Sequence, residues 1–213
     1  MHIFADFSYL NYFCHTMIYI LHIQLKDLGT PKIWRQIAVP STLTFNQLHE
    51  VIQIAFGWSD YHLYEFTDRS DMFQEGSCRI SIPCADDADY HDAKTTDART
   101  TKISKILSKS NELKYIYDFG DFWEFEIHVI DRIRETIDTP ICQDGSGAPP
   151  PEDCGGTGGY EQMLKSISTS DEGAESYREW IGLNPHESWN PEEFSYQTRK
   201  TINLWLYQHF AID

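Results

Sequence analysis

Two stretches of the chain concentrate side chains that can do chemistry. Residues 117–127 read YDFGDFWEFEI, and residues 142–160 read CQDGSGAPPPEDCGGTGGY. The first carries Asp118, Asp121, Glu124 and Glu126; the second carries Glu152 and Asp153. Clustered carboxylates hold hard cations or act as an acid–base pair. Asp118, Asp121, Glu124, Glu152 and Asp153 are therefore the candidate catalytic residues of a cation-dependent hydrolase or nuclease-like enzyme. Each also has a structural use. Asp118 and Asp121 flank Gly120, where Asp side chains bond their own backbone in tight turns. Glu124 and Glu126 fall on the polar face of a strand. Glu152 and Asp153 precede Gly155 and Gly156 and can cap loop amides.

Other chemistries lack their partners. The DFG at 118–120 has neither a Gly-rich phosphate loop before it nor a catalytic HRD loop anywhere, which excludes a kinase. GGTGG at 155–159 has no following Lys, so a phosphate cradle is not supported; it is expected to be a flexible entry to a helix from Tyr160. His49 and His62 find no third ligand at a recognisable spacing and read as satisfied core or polar surface. GxSxG and HExxH are absent. The five cysteines, Cys14, Cys78, Cys84, Cys142 and Cys154, are odd in number and irregularly spaced. They imply reduced thiols and a cytoplasmic setting rather than a disulfide framework.

These residues need elements to position them. A strand runs from Met17, with Tyr19, Leu21, Ile23 and Leu25 on one face at period 2. A turn with Gly29 and Pro31 leads to a second strand, which sets Ile33, Arg35, Ile37 and Val39 on one face and Trp34, Gln36 and Ala38 on the other. Pro40 stops it. Thr44 and Gln47 form a capping box for a helix with Leu48, Val51, Ile52, Ala55 and Phe56 on its buried face, and Gly57 closes it. Residues 61–67 read as a third strand. Residues 68–100 are an Asp-rich excursion, with a short strand through Ile80 and Ile82. A brief helix through Ile103, Ile106 and Leu107 follows. Residues 113–120 and 122–130 make a strand pair, with Trp123, Phe125, Ile127 and Val129 inward. Residues 140–159 are too rich in Gly and Pro for regular structure and are expected to pack back on the 113–130 hairpin. Three apolar stripes then mark C-terminal helices: Tyr160, Met163, Leu164 and Ile167; Ala174, Tyr177 and Ile181; Ile202, Trp205, Leu206 and Phe210.

The order of elements is α+β: an antiparallel or mixed sheet, a main helix after the first hairpin, and a helical C-terminal part. Residues 1–16 have no period or cap and read as an N-terminal extension to a single domain spanning 17–213. The early apolar stretch lacks a basic start and is interrupted by Asp6, Asn11, His15 and His22, so neither a signal peptide nor a membrane span is expected. The net charge is −16, from 17 Lys+Arg against 33 Asp+Glu. Nucleic acid is disfavoured as a partner without a local basic patch.

IWRQI (33–37), LHEVIQIAFGW (48–58), HLYEF (62–66), YDFGDFWEF (117–125) and GAPPPEDCGG (147–156) occur in an order that resembles the plasmid pRiA4b ORF-three-like family. The resemblance runs from about residue 17 to the final helix. It implies an α+β fold and an association with plasmids and transposable elements, and no settled activity. It marks Trp34, Arg35, Trp58, Trp123, Cys142, Cys154, Gly155 and Gly156 as structural-motif residues. The family often has His where this chain has Phe125 and Cys where it has Pro149. With Cys142 and Cys154 those would make a four-ligand zinc set. This chain keeps only Cys142 and Cys154, so no metal and no cofactor are expected. The functional expectation is a non-catalytic interaction module with an unidentified protein partner, its surface marked by Trp58, Tyr61 and Tyr64. The cation-dependent enzyme is the alternative. A DNA-binding accessory role meets the −16 charge.

Overall fold

In the computed structural model the described residues are 17–67, 78–83, 95–183, 187 and 189–211. The expected extension over residues 1–16 lies outside them, as do Cys14 and Cys84. Alternating apolar residues make Ile18–Leu25 (β1) and Trp34–Pro40 (β2) an antiparallel pair, with Ile23 opposite Arg35 and Leu21 opposite Ile37. Tyr19, Leu21, Ile23 and Leu25 are buried, as their period 2 requires.

Helix α1 (Phe45–Phe56) follows. The Thr44 side chain accepts from Gln47 N and the Gln47 side chain accepts from Thr44 N, and Gly57 ends the helix at φ 67. Such a cap is worth about 1 kcal/mol. Burial of Leu48, Val51, Ile52 and Phe56 contributes more, at about 1.5–3 kcal/mol for each large side chain. The chain then makes β3 (Tyr64–Thr67), β4 (Arg79–Ser81), β5 (Thr95–Asp97), a short α2 (Ser104–Leu107), β6 (Glu112–Tyr117), β7 (Trp123–Ile133) and β8 (Ile141–Ser146). Helices α3 (Gly156–Thr169), α4 (Ala174–Trp180) and α5 (Tyr196–Phe210) complete it.

The strands form one mixed sheet in the order β5-β4-β3-β6-β7-β1-β2-β8. Among the described residues only the β4–β5 pair is parallel. One core cluster joins the inward residues of the sheet to α1, α3 and α5, including Phe66, Tyr115, Trp123, Phe125, Tyr160, Met163, Ile202 and Leu206. Ile18, Ile20 and Ala38 form a smaller cluster on the opposite face.

Arg35 is the unusual member of the inner face. It is buried among apolar residues, sits between the Phe56 and Phe194 rings, and donates to the carbonyls of Trp34, Ala55, Ser146 and Gly147. Burial pulls its pKa down to about 10, which still leaves it charged at neutral pH. One side chain thus ties β2, α1 and β8 together. Trp34 points to the other face and packs on His22.

Four expectations need correction. Residues 140–159 do contain regular structure: β8 adds to the edge of β2, and α3 starts at Gly156 rather than Tyr160. GGTGG is therefore helical first turn and not a flexible entry. Cβ atoms at Gly156 and Gly159 would run into the Asp121 and Cys154 carbonyl oxygens, so close approach is what these glycines provide. The third strand begins at Tyr64, because Asp60 turns the chain at φ 57 and Tyr61 N bonds the Tyr117 hydroxyl. Trp205 does not join its stripe and is 47% exposed.

Candidate functional site

Three of the distinctive segments meet at one end of the sheet. The stretch before β3 supplies Tyr61, His62 and Leu63. The β6–β7 turn supplies Asp118 to Phe122, and the loop between β8 and α3 supplies Pro149 to Gly155. Asp118 N donates to Leu63 O, which joins the first two. The third is fastened by side chains. Trp58 Nε1 donates to Pro150 O at 2.9 Å, and the Trp58 ring stacks on Tyr117 with centroids 5.2 Å apart. Glu152 accepts from Ser59 N and from the Tyr117 hydroxyl, each at 2.8 Å. Asp121 accepts from Gly155 N at 3.0 Å. The loop therefore packs on the hairpin as expected.

The hairpin turn is strained. Asp118 and Phe122 both have φ 57, and Phe122 N bonds Asp118 O at 2.6 Å. A left-handed backbone at a bulky residue costs roughly 1–2 kcal/mol. Asp118 offsets part of this by accepting from Gly120 N at 2.8 Å, the Asx geometry expected of it.

Burial raises the Tyr117 pKa, and its hydrogen bond to Glu152 adds to this, so the hydroxyl stays a donor. The catalytic candidates do not form one centre. Glu124 lies on the opposite face of the sheet, bonded to Lys26 at 2.9 Å and Lys114 at 2.6 Å. Burial alone would raise its pKa, but the two ammonium partners win and lower it. Asp118, Asp121, Glu152 and Asp153 share the hairpin end, where the first three spend oxygens on amides or a hydroxyl.

His62 is the residue that spacing along the sequence misses. Its Nε2 lies 3.0 Å from Asp153 Oδ1 and 3.7 Å from Asp118 Oδ2. His62, Asp118 and Asp153 are the metal-capable group of three found among the described residues. The expectation that His62 has no third partner is corrected here. Its partners come from two distant segments, so only the folded chain reveals them.

His49 is a satisfied core residue. It stacks on Tyr64 at 3.7 Å, and its two ring nitrogens lie 2.7 Å from the Tyr115 hydroxyl and from Asp60. Gln53 donates to the same hydroxyl. The network assigns Tyr115 as donor to Nδ1 and Nε2–H as donor to Asp60.

The surface expectation is half corrected. Tyr61 is 80% exposed, but Trp58 and Tyr64 are buried at 8% and 6%, because both rings pack under the site. Leu63, Phe119 and Phe122 are exposed instead. With Ile82, Leu63 and Phe119 border a small cavity of about 140 Å³ that also touches Asp60, His62 and Glu65.

The cysteines form no ligand set among the described residues. Cys142 is buried beside Arg35 and Cys154 packs against the core; burial raises their pKa values to about 11 and about 12. Phe125 fills the position between Phe56, Trp58 and Tyr115 as a packing residue. No helix among the described residues is long and apolar enough to cross a membrane.

Comparison with known proteins places these segments in company. Residues 17–198 match the family described as plasmid pRiA4b ORF-3-like protein. The chain is similar to the uncharacterized protein y4hQ of Sinorhizobium fredii, with 33% identity over 167 residues, covering 76% of this chain and 80% of that protein. It is also similar to the crystal structure of MM3350, a protein of unknown function from Methanosarcina mazei Go1. That match has a TM-score of 0.72 at 31% identity, and covers 86% of this chain and 97% of the other.

Proposed function

The chain belongs to the plasmid pRiA4b ORF-3-like family, and from that premise we propose that it is a non-catalytic interaction module. It works in a reducing cytoplasm, in a mobile-element or host-response setting. Its recognition surface is the end of the sheet where the three segments meet. The partner is a protein segment that is basic and carries apolar anchors.

One observation carries this reading. Asp121 and Glu152 hold the loop to its neighbours and Asp118 braces the hairpin turn, while Tyr61, Leu63, Phe119 and Phe122 stand exposed on the same end. An exposed aromatic and aliphatic group on a rigid support is the usual form of an interaction patch. Asp60 and Asp153 border it, and the whole chain carries −16. Complementary charge sets which partner approaches and how fast.

Selection from a displayed library of random peptides tests the proposal. Peptides combining Lys or Arg with apolar anchors are expected to enrich on the wild-type chain. Enrichment is expected to vanish on a Leu63→Ser/Phe119→Ser double variant, whose substitutions touch only exposed side chains. Equal enrichment on both proteins, or none on either, sinks the reading. Turnover of a simple phosphodiester or ester that is lost in Asp118→Asn would favour an enzyme instead.

A further inference from the structure

The group His62, Asp118 and Asp153 sets an imidazole and two carboxylates together, its His62–Asp153 pair at hydrogen-bond distance. Glu152, Asp121 and Trp58 already fasten the loop through backbone groups. Asp118 Oδ1 is held by Gly120 N, which aims the other oxygen, Oδ2, at His62. Asp153 brings a second carboxylate to the same imidazole nitrogen. The donor atoms of the three residues lie within 4.8 Å of one another.

The two spacings from His62 suit ligands of one ion, and the shorter is also that of a hydrogen bond. Metal–ligand bonds of about 2.1 Å place neighbouring donors about 3.0 Å apart at a right angle and about 3.6 Å apart at 120°. The observed separations from His62 Nε2 are 3.0 and 3.7 Å. Two carboxylates and a neutral imidazole supply two negative charges, enough to balance a divalent ion. Asp153 is 65% exposed at side-chain level, so the far side of the site opens to solvent or to a bound partner.

We propose that His62, Asp118 and Asp153 bind one first-row divalent cation of the Mn²⁺ or Zn²⁺ class. Imidazole nitrogen beside carboxylate oxygen suits these ions, whereas Ca²⁺ and Mg²⁺ take all-oxygen shells. The cation would bridge the stretch before β3, the β6–β7 turn and the β8–α3 loop. Its effect is to set the exposed side chains around it, Leu63 and Phe119, in one arrangement. The inference rests on the recognition-surface reading for its purpose and on geometry alone for its ligands. It is also distinct from the cysteine pair, which lies outside the group.

The competing occupant is a proton on Nε2, which makes the His62–Asp153 pair an ordinary hydrogen bond. Calorimetric titration of the EDTA-dialysed full chain with MnCl₂ and with ZnCl₂ separates the two. One ion per chain is expected. Asp153→Asn and His62→Gln are each expected to weaken binding at least about tenfold. Asn is chosen at 153 because it tolerates the left-handed backbone seen there, at φ 59. A Cys142→Ser/Cys154→Ser double variant is expected to bind as the wild type does. Broadening of the His62 imidazole NMR signals by Mn²⁺ provides a reading that needs no variant. Absence of saturable binding, binding undiminished in both ligand variants, loss in the cysteine variant, or Ca²⁺ binding as tight as Mn²⁺ would overturn the site. The peptide selection above is read without added metal, so the two proposals fail separately.

Discussion

His49 shows how one buried side chain makes stability depend on pH. Burial lowers its pKa from the ordinary 6.5, outweighing the Asp60 carboxylate that pulls it upward. In the unfolded chain the ring protonates near 6.5; in the fold it resists to lower pH. The unfolded state therefore takes the proton first. This contribution to stability is complete above about pH 6.5 and is lost as the pH falls toward the folded value. His49→Gln is expected to flatten the pH dependence of urea unfolding between about pH 7.5 and 5.5, by at most about 1.4 kcal/mol per pH unit. It should also lower stability at the upper end, because Tyr115 and Asp60 lose a shared partner. A variant whose slope matches the wild type would show that other groups set the pH response. At this scale the sequence is readable in part. For His49 the sequence leaves core and polar surface open, and the fold puts it in the core. The place of His62 is not readable, because its partners arrive from segments that only tertiary structure brings near.

Among the elements, α1 could be read to within a residue because cap, apolar face and terminal glycine all agree. β8 could not. Its strand is specified by pairing with β2 and by Arg35, whose carbonyl partners at Ser146 and Gly147 hold its end. Local composition argued for a loop, and non-local hydrogen bonding overrode it. Arg35→Ala should therefore cost more than its position in a strand suggests. Two buried and two part-buried carbonyls lose a donor, which points to a loss on the order of 3 kcal/mol. Lysine lacks the planar fork and should recover only part. Equilibrium urea denaturation gives the values, and an Arg35→Lys protein as stable as wild type would remove Arg35 from this role. The start of α3 yields a paired expectation of opposite sign. Gly156→Ala meets the Asp121 carbonyl from a backbone at φ 67 and is expected to destabilise by roughly 1–3 kcal/mol. At Gly158 a Cβ meets nothing within 4 Å, so Gly158→Ala is expected to stabilise by about 0.5–1 kcal/mol. Equal effects at the two positions would contradict the close approach of α3 to the β6–β7 turn.

For the whole molecule, the α+β class was legible because clear period 2 segments stand on either side of α1 and precede the period 3.6 segments of the C-terminal part. The strand order was not. β3 pairs with β6 across a long excursion, and β1 sits between β2 and β7. Hydrophobic period fixes which face of a strand is buried and leaves its neighbour open. That central place of β1 bears on residues 1–16. The strand that follows them is paired along both edges, Ile18 with Pro40 and with Ile133, and Met17 O already accepts from Ser41 N. Among the described residues, the core cluster around Leu21, Phe66, Phe125 and Met163 joins the sheet to α1, α3 and α5. A chain starting at Met17 is therefore expected to melt within about 2 °C of the full one. For a protein of this size 1 kcal/mol moves the midpoint by about 2–4 °C, so this corresponds to less than about one such unit. A fall of more than about 5 °C would mean that residues 1–16 contribute buried surface to the domain, and that the domain begins before the first patterned strand.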